Sequence, residues 1–206
     1  ASVAIGLGNI GIGSNVLAAL SSGNANIAIG GGACGILSTA IDNVCVGTQA
    51  GSQVSTVSVS DRNVAVGHLA MRSAVASECV AVGTQALEVV TGNDNTAIGK
   101  QAGLIYDGAD SVFIGSRAGQ NMTTGSRNVV IGTGAGSALT TESDQFVLEN
   151  TTGVLMTGDF STGAVAAAAF DVGSVLLNDG AVSVLPVAGQ AALISVATAG
   201  GSSVPS

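Results

Sequence analysis

NTAIGKQAG (95–103), SVFIGSRAG (111–119) and NVVIGTGAG (128–136) are three copies of one unit. Each has a polar residue, a short apolar run, a Gly, two variable positions, and Ala followed by Gly. The Gly that closes the apolar run serves as an anchor. Gly99, Gly115 and Gly132 are 16 and 17 residues apart, and a period of that size is the mark of a solenoid whose turns stack on one another.

Upstream the same anchor stands at Gly6, Gly13, Gly30, Gly47, Gly67 and Gly83. The step from Gly6 to Gly13 is too short for a turn, so SVAIG and NIGIG are expected on consecutive sides of one turn. The step from Gly47 to Gly67 carries an insertion, SQVSTVSVSD (52–61), expected to bulge from the shaft. A further 17 residues beyond Gly132 lies Glu149, in QFVLEN, where the apolar run persists and the Gly is lost.

Alignment on the anchors gives columns. One and three residues before the Gly, Val and Ile dominate (Ile29 and Ile27, Val82 and Val80, Ile114 and Val112). Positions two apart share a face of a strand, so these columns are expected to fill the interior. Two before the Gly stand Gly11, Ala28, Cys45, Ala65, Ala81 and Ala97, then Phe113 and Val130. A small-residue face is expected to pack against a neighbouring chain, and Phe113 and Val130 to widen the shaft or change its packing there. Four before the Gly, Asn recurs (Asn26, Asn43, Asn63, Asn95, Asn128), suited to satisfying corner backbone groups or to stacking amide on amide. Five before it, Asp42, Arg62, Glu78, Asp94, Asp110, Arg127 and Asp144 hold seven of the eighteen charged residues. That column reads as an exposed corner with weak ion pairs. Three after the Gly, Ala recurs at a second short strand or tight corner, followed by turns such as VVTGNDN (89–95).

Composition agrees with thin stacked layers. The 206 residues include 31 Gly, only 2% aromatic and 9% charged residues, with 47% hydrophobic. Two Pro and no three-residue Gly period exclude collagen, and the apolar content argues against disorder. A net charge of −8 with five basic residues makes nucleic acid an unsuitable partner. No apolar run reaches the roughly 18–20 residues of a membrane span. The first residues have no basic leader pattern and start within the repeat, as in a processed chain or part of a longer one. Cys34, Cys45 and Cys79 occupy different repeat positions without CxxC spacing. They are expected as small buried hydrophobes rather than a disulfide framework or zinc site.

The N-[VT]-A-[IV]-G unit resembles the head repeats of trimeric autotransporter adhesins. The longer unit with TTG connectors, followed by DQFVLENTTGVLMTGDFSTG (144–163), resembles more closely the repeats of bacteriophage tail fibres and tailspikes. Those often precede an endosialidase-type chaperone domain, for which this chain has no match. The resemblance covers about residues 2–163. It implies a homotrimeric fibre on the virion, in contact with other tail or fibre proteins and a host cell-surface glycan or protein. The alternatives are a bacterial surface adhesin and, ranked last, a depolymerising tailspike.

The expected fold is all-β: a parallel β-solenoid or β-roll, or a triple β-helix, of 16–17-residue turns in a trimer, with chains coiling singly or intertwined. Residues 1–150 form the shaft and 151–206 a β-rich segment. Within that segment, 174–185 is expected as a hairpin around Asn178-Asp179-Gly180 and 187–200 as a chain contact. No catalytic set, cofactor site or metal site is expected. His68 reads as a solvated surface residue, and the few aromatics and scattered Arg do not make a sugar-cleaving cleft. Candidates for receptor contact are Ser55, Thr56 and Asp61 in the insertion, and Tyr106, Asp107 and Asp110 in one turn.

Overall fold

In a computed structural model of the chain, residues 6–52 and 60–167 are described. Short strands follow, one before each anchor from Gly13 on and, in three repeats, a second after it: β1 (Ile10–Ile12), β2 (Ile27–Ile29), β3 (Val44–Val46), β4 (Val64–Val66), β5 (Ser73–Ala74), β6 (Val80–Val82), β7 (Val89–Val90), β8 (Thr96–Ile98), β9 (Ile105–Tyr106), β10 (Val112–Ile114) and β11 (Val129–Ile131). The longer β12 (Gln145–Asn150), β13 (Gly153–Asp159) and β14 (Ala164–Ala167) follow. There is no helix among the described residues.

The strands before each anchor stack as one sheet in the order β1-β2-β3-β4-β6-β8-β10-β11-β12-β13-β14. Pairing is parallel through β12, in the register that the anchors define: Ile27 on Val44, Val80 on Thr96, Val112 on Val129. Every turn is closed by its own chain, which makes the protein a parallel β-solenoid. β5, β7 and β9 form a second, three-stranded sheet. β12, β13 and β14 then run antiparallel and end the described stack.

The period follows from backbone hydrogen bonding between turns. Gly99 N donates to Val82 O at 2.8 Å, and Gln101 N to Thr84 O at 2.9 Å. From Gly13 to Gly132 the anchors have φ between +122° and +137°. A Cβ at Gly83 would lie 2.5 Å from the Gly99 carbonyl oxygen, so both conformation and space require glycine. The 52–61 insertion leaves the stack intact, since Val44 still pairs Val64. Gly6 stacks on Gly23, both carbonyls accepting from Asn9 Nδ2 at the corner before β1; the rest of SVAIG lies outside the described residues.

The faces of the sheet are the reverse of the expected ones. Ala28, Cys45, Ala65, Ala81, Ala97, Phe113, Val130 and Val147 point inward and are buried, while Ile12, Ile29, Ile98 and Ile114 are exposed. The cause is the width of the interior. The opposite wall of each turn is backbone of the Ala-Gly segment, close enough that the inner face admits little bulk. Two columns therefore trade volume across the gap, the residue two before each anchor and the residue four after it: Gly11 with Leu17, Ala65 with Met71, Ala81 with Leu87, Phe113 with Gly119, Val130 with Gly136. A Cβ at Gly103 would meet Phe113 Cδ2 at 2.9 Å, and one at Gly136 would meet Val130 Cγ1 at 2.9 Å. At Phe113 and Val130 it is therefore the packing that changes and not the register of the strands. Opposing glycines make room for them, and the strand register runs on unchanged.

The Asn column is buried and forms a ladder. Asn26 Oδ1 accepts from Asn43 N at 3.1 Å and Asn43 Nδ2 at 3.0 Å. Asn43 Oδ1 accepts from Asn63 N, and Asn63 Oδ1 from Cys79 N. Asn95 Nδ2 donates to the Gly92 and Gly108 carbonyls, both at 2.8 Å. Each amide thus ties a corner to the turns beside it, and each such bond contributes about 1 kcal/mol net.

Cys34 and Cys45 form a disulfide, with Cα atoms 5.9 Å apart, contrary to the reading of three separate thiols. Their columns differ but both point inward, so residues 11 apart in sequence meet in the interior. Cys79 is a buried free thiol whose pKa is pushed up to about 11, chiefly by desolvation. It is a small buried group, as expected. The hairpin at 174–185 and the contact segment at 187–200 lie outside the described residues.

Two stability measurements check this account. The Cys34→Ala/Cys45→Ala variant should unfold at lower denaturant, with a loss of about 2–3 kcal/mol from the released loop. Ala81→Val should cost about 1–3 kcal/mol by overpacking. Combined with Leu87→Ala, the loss should fall below the sum of the two single changes.

Candidate interaction surface

The outward face of the long sheet is apolar along its whole length. Val and Ile stand one and three residues before each anchor, with Thr96 the polar exception on β8. Ile12 is 59% exposed, Ile98 42% and Ile114 38%. The antiparallel strands continue this face, because Phe146 lies opposite Gly158, Leu148 opposite Met156, and Gly158 opposite Val165. Val165 is 68% exposed. The Phe160 ring meets Phe146 edge-on, with centroids 6.2 Å apart.

Eleven strands at about 4.8 Å spacing give a face about 50 Å long. With a width of about 15 Å the patch is roughly 750 Å², close to what one partner contributes to a standard interface. It exceeds the few hundred Å² that monomers usually leave contiguous and exposed.

Charge stands at both ends of these strands: exposed Asp94 and Lys100 flank β8, whose Thr96 and Ile98 face outward while Ala97 points in. On the acidic rim every described corner residue has left-handed φ, from +56° at Arg62 to +62° at Glu78 and Asp144. Arg62 Nη2 bonds Glu78 Oε1 at 2.6 Å, and Arg127 Nε bonds Asp144 Oδ1 at 2.6 Å. Through those hydrogen bonds the pKa values of Glu78 and Asp144 are lowered. Asp94 has a raised pKa, first by desolvation and then by the neighbouring Glu78 and Asp110 charges.

The receptor-contact candidates separate. Tyr106 is completely buried, which removes it from any contact surface. Its hydroxyl donates to the Gly125 carbonyl and shares a hydrogen bond with Ser111 Oγ, both 2.8 Å. Its ring packs edge-on against Phe113 at 4.9 Å. Gly108 makes the space for the hydroxyl end of Tyr106, while Gly103 and Gly119 make that for Phe113; a Gly two residues after the lone tyrosine was the signal available in the sequence. Asp107 is exposed and accepts from Thr91 Oγ1, and Asp110 is exposed on the acidic rim. Asp61 is half-buried, its Oδ1 accepting from Ile41 N at 2.8 Å, so it closes a corner. Ser55 and Thr56 lie outside the described residues. His68 is exposed, as read.

A polar hollow of about 480 Å³ opens beside the β12–β13 turn, between Arg117, Gln120, Asn121, Ser137 and Thr152. Glu149 is the one carboxylate lining it, and its Oε2 is engaged by Gly136 N. Among the described residues no cluster of His, Cys, Asp and Glu could hold a metal ion, and no helix is long and apolar enough to cross a membrane. Comparison with family models, with curated proteins and with solved structures finds no match to this chain. The surface itself therefore carries the functional argument.

Tyr106→Phe should lower unfolding free energy by about 1–3 kcal/mol, since buried partners lose their hydroxyl. A denaturant titration reads this directly.

Proposed function

We propose that this chain is the shaft of a virion tail fibre, assembled as a homotrimer and holding host-attachment parts away from the particle. The observation that supports this most is the continuous Val/Ile face. A solenoid that fills its interior with Ala and Gly while turning its β-branched residues outward is built to be covered along its length. Three such shafts around a common axis cover these faces mutually. Small closed turns that contact only their neighbours make a stiff spacer, and the described parallel strands span roughly 40 Å at 4.8 Å each.

In this reading the chain is a structural protein without catalysis or cofactor. Its partners are copies of itself, other tail or fibre proteins, and a host surface glycan or protein met by the exposed corners. It acts on the outside of the virion. The resemblance of NTAIGKQAG and GDFSTG to phage fibre repeats points the same way.

Light scattering on the full chain should give about three times the 19.7 kDa chain mass, and negative-stain images should show short rods. Immunogold against the shaft should label the tails of particles that carry it. A stable monomer, or labelling confined to a bacterial envelope, would overturn the assignment.

A further inference from the structure

The second residue after each anchor forms a column of its own, which runs Gln49, Leu69, Gln85, Gln101, Arg117 and then Gly134. All of these have left-handed φ, from +56° to +69°. Where the column carries amides, they are engaged along the stack. Gln101 Nε2 donates to Gln85 Oε1 at 3.2 Å, and Gln85 Nε2 to Glu88 Oε2 at 2.6 Å. Glu88 in turn pairs with Arg72. Arg117 breaks this chain, because its guanidinium has no carboxylate partner among the described residues. On the next level the column holds Gly134, where an added Cβ would meet Thr151 Cγ2 at an ordinary 3.5 Å. Beyond that, Glu149 stands in place of an anchor and the chain turns back into antiparallel β13. A missing side chain and a missing parallel turn together leave the hollow of about 480 Å³ beside Arg117.

Every residue that lines this hollow is polar or Gly, so the apolar anchor of a peptide or a lipid chain finds no surface there. Its volume is within the roughly 300–1,000 Å³ of small-molecule sites. The formal charges balance, with Arg117 the one cation and Glu149 the one carboxylate. Glu149 Oε2 accepts from Gly136 N at 2.9 Å, which leaves Oε1 as an acceptor. Asn121 Nδ2 donates to the Ser137 carbonyl at 2.9 Å, which leaves its Oδ1. Arg117 supplies donors alone, and the Gln120 amide supplies both kinds. Such a mixture suits a ligand whose own groups donate and accept at once, as hydroxyls do. An anion would gain at Arg117 and lose at Glu149, against the field of a chain with net charge −8. A metal ion would find one carboxylate only. We propose that the hollow binds an uncharged sugar unit of a surface glycan, Arg117 donating to its oxygens and Glu149 accepting from a hydroxyl. This rests on the host-attachment reading above and gives it a location, at the end of the parallel stack. Without an aromatic platform one unit binds weakly, with Kd on the order of 1 mM, and several copies of the hollow on one assembly add avidity.

The test is binding of the labelled full chain to arrayed neutral oligosaccharides of glucose, galactose, mannose and N-acetylhexosamines, with oligogalacturonate as the acidic comparison. The wild-type chain should bind at least one neutral probe, at least fivefold above oligogalacturonate. Gly134→Gln places at this level the residue that Gln85 and Gln101 already hold in the same left-handed conformation, so the variant should fold while its side chain enters the hollow. Its binding should fall at least tenfold. Arg117→Ala removes an exposed side chain without a carboxylate partner and should also lose at least tenfold, which keeps the test open if Gly134→Gln fails to fold by circular dichroism. Binding to none of the neutral probes, preference for oligogalacturonate, or wild-type binding by either folded variant would overturn the site and leave the fibre shaft standing. A wild-type chain that scatters as a monomer, yet binds a neutral probe and loses it in Arg117→Ala, would instead remove the fibre and keep the site.

Discussion

The whole structure depends on how closely the two walls of each turn approach. With so little depth, the inner face of the sheet accepts one sizeable side chain per turn at most, and only if the opposite wall offers Gly or Ala. That constraint accounts for the Ala column, for the complementary sizes at Phe113 and Gly119, and for Cys34 meeting Cys45 inside. It also decides where the large residues go. β-branched side chains excluded from a thin interior have to face outward, and an outward apolar face needs a cover. Core packing and surface character are thus two results of one dimension.

A core this thin buries little apolar area per turn, and the polar ladder makes up part of the difference. Buried Asn26, Asn43, Asn63, Asn95 and Asn128 each bridge their turn to the next through Oδ1, and all but Asn43 do so through Nδ2 as well. Because the bonds run along the stack, they fix the spacing as well as contribute stability. Where Asn is absent, Cys79 and Ser111 fill its place: Cys79 Sγ donates to the Gly92 carbonyl and Ser111 Oγ accepts from Asn128 N of the following turn. The insertion between Gly51 and Asp61 is tolerated because the ladder crosses it unbroken, from Asn43 to Asn63.

The period, the parallel register and the role of Asn were legible in the residues alone. Hydrogen bonds between turns permit one repeat length, and corner chemistry repeats with it. The direction of the faces was not legible from composition, because both faces are apolar and a β-branched column suits a buried face as well as a covered one. The deciding signal was nonetheless in the chain: Leu, Met or Leu again after Gly11, Ala65 and Ala81, but Gly after Phe113 and Val130. Such compensation occurs only between side chains that share a space. Tyr106 was misread for a related reason. A single tyrosine in a turn looks like a surface feature until Gly108, two residues on, is seen to leave room for it. The disulfide escaped because pairing was judged within one column, whereas the contact runs between two.

The left-handed corners have a consequence for how such a shaft comes into being. In the turn around Gly99, Asp94, Gln101 and Gly103 have φ from +53° to +59° and Gly99 itself +137°. A non-glycine residue in that region costs on the order of 1 kcal/mol. An isolated turn would hold this strain with no neighbour to bond to, so it would not persist. Each added turn receives its strain together with a ready template of carbonyls and amides. Formation is then a zipper with a costly first step, and melting starts at the ends, where one side of the template is missing. A shaft of this design has a minimum length below which it does not exist, and above which its free energy grows in nearly equal increments.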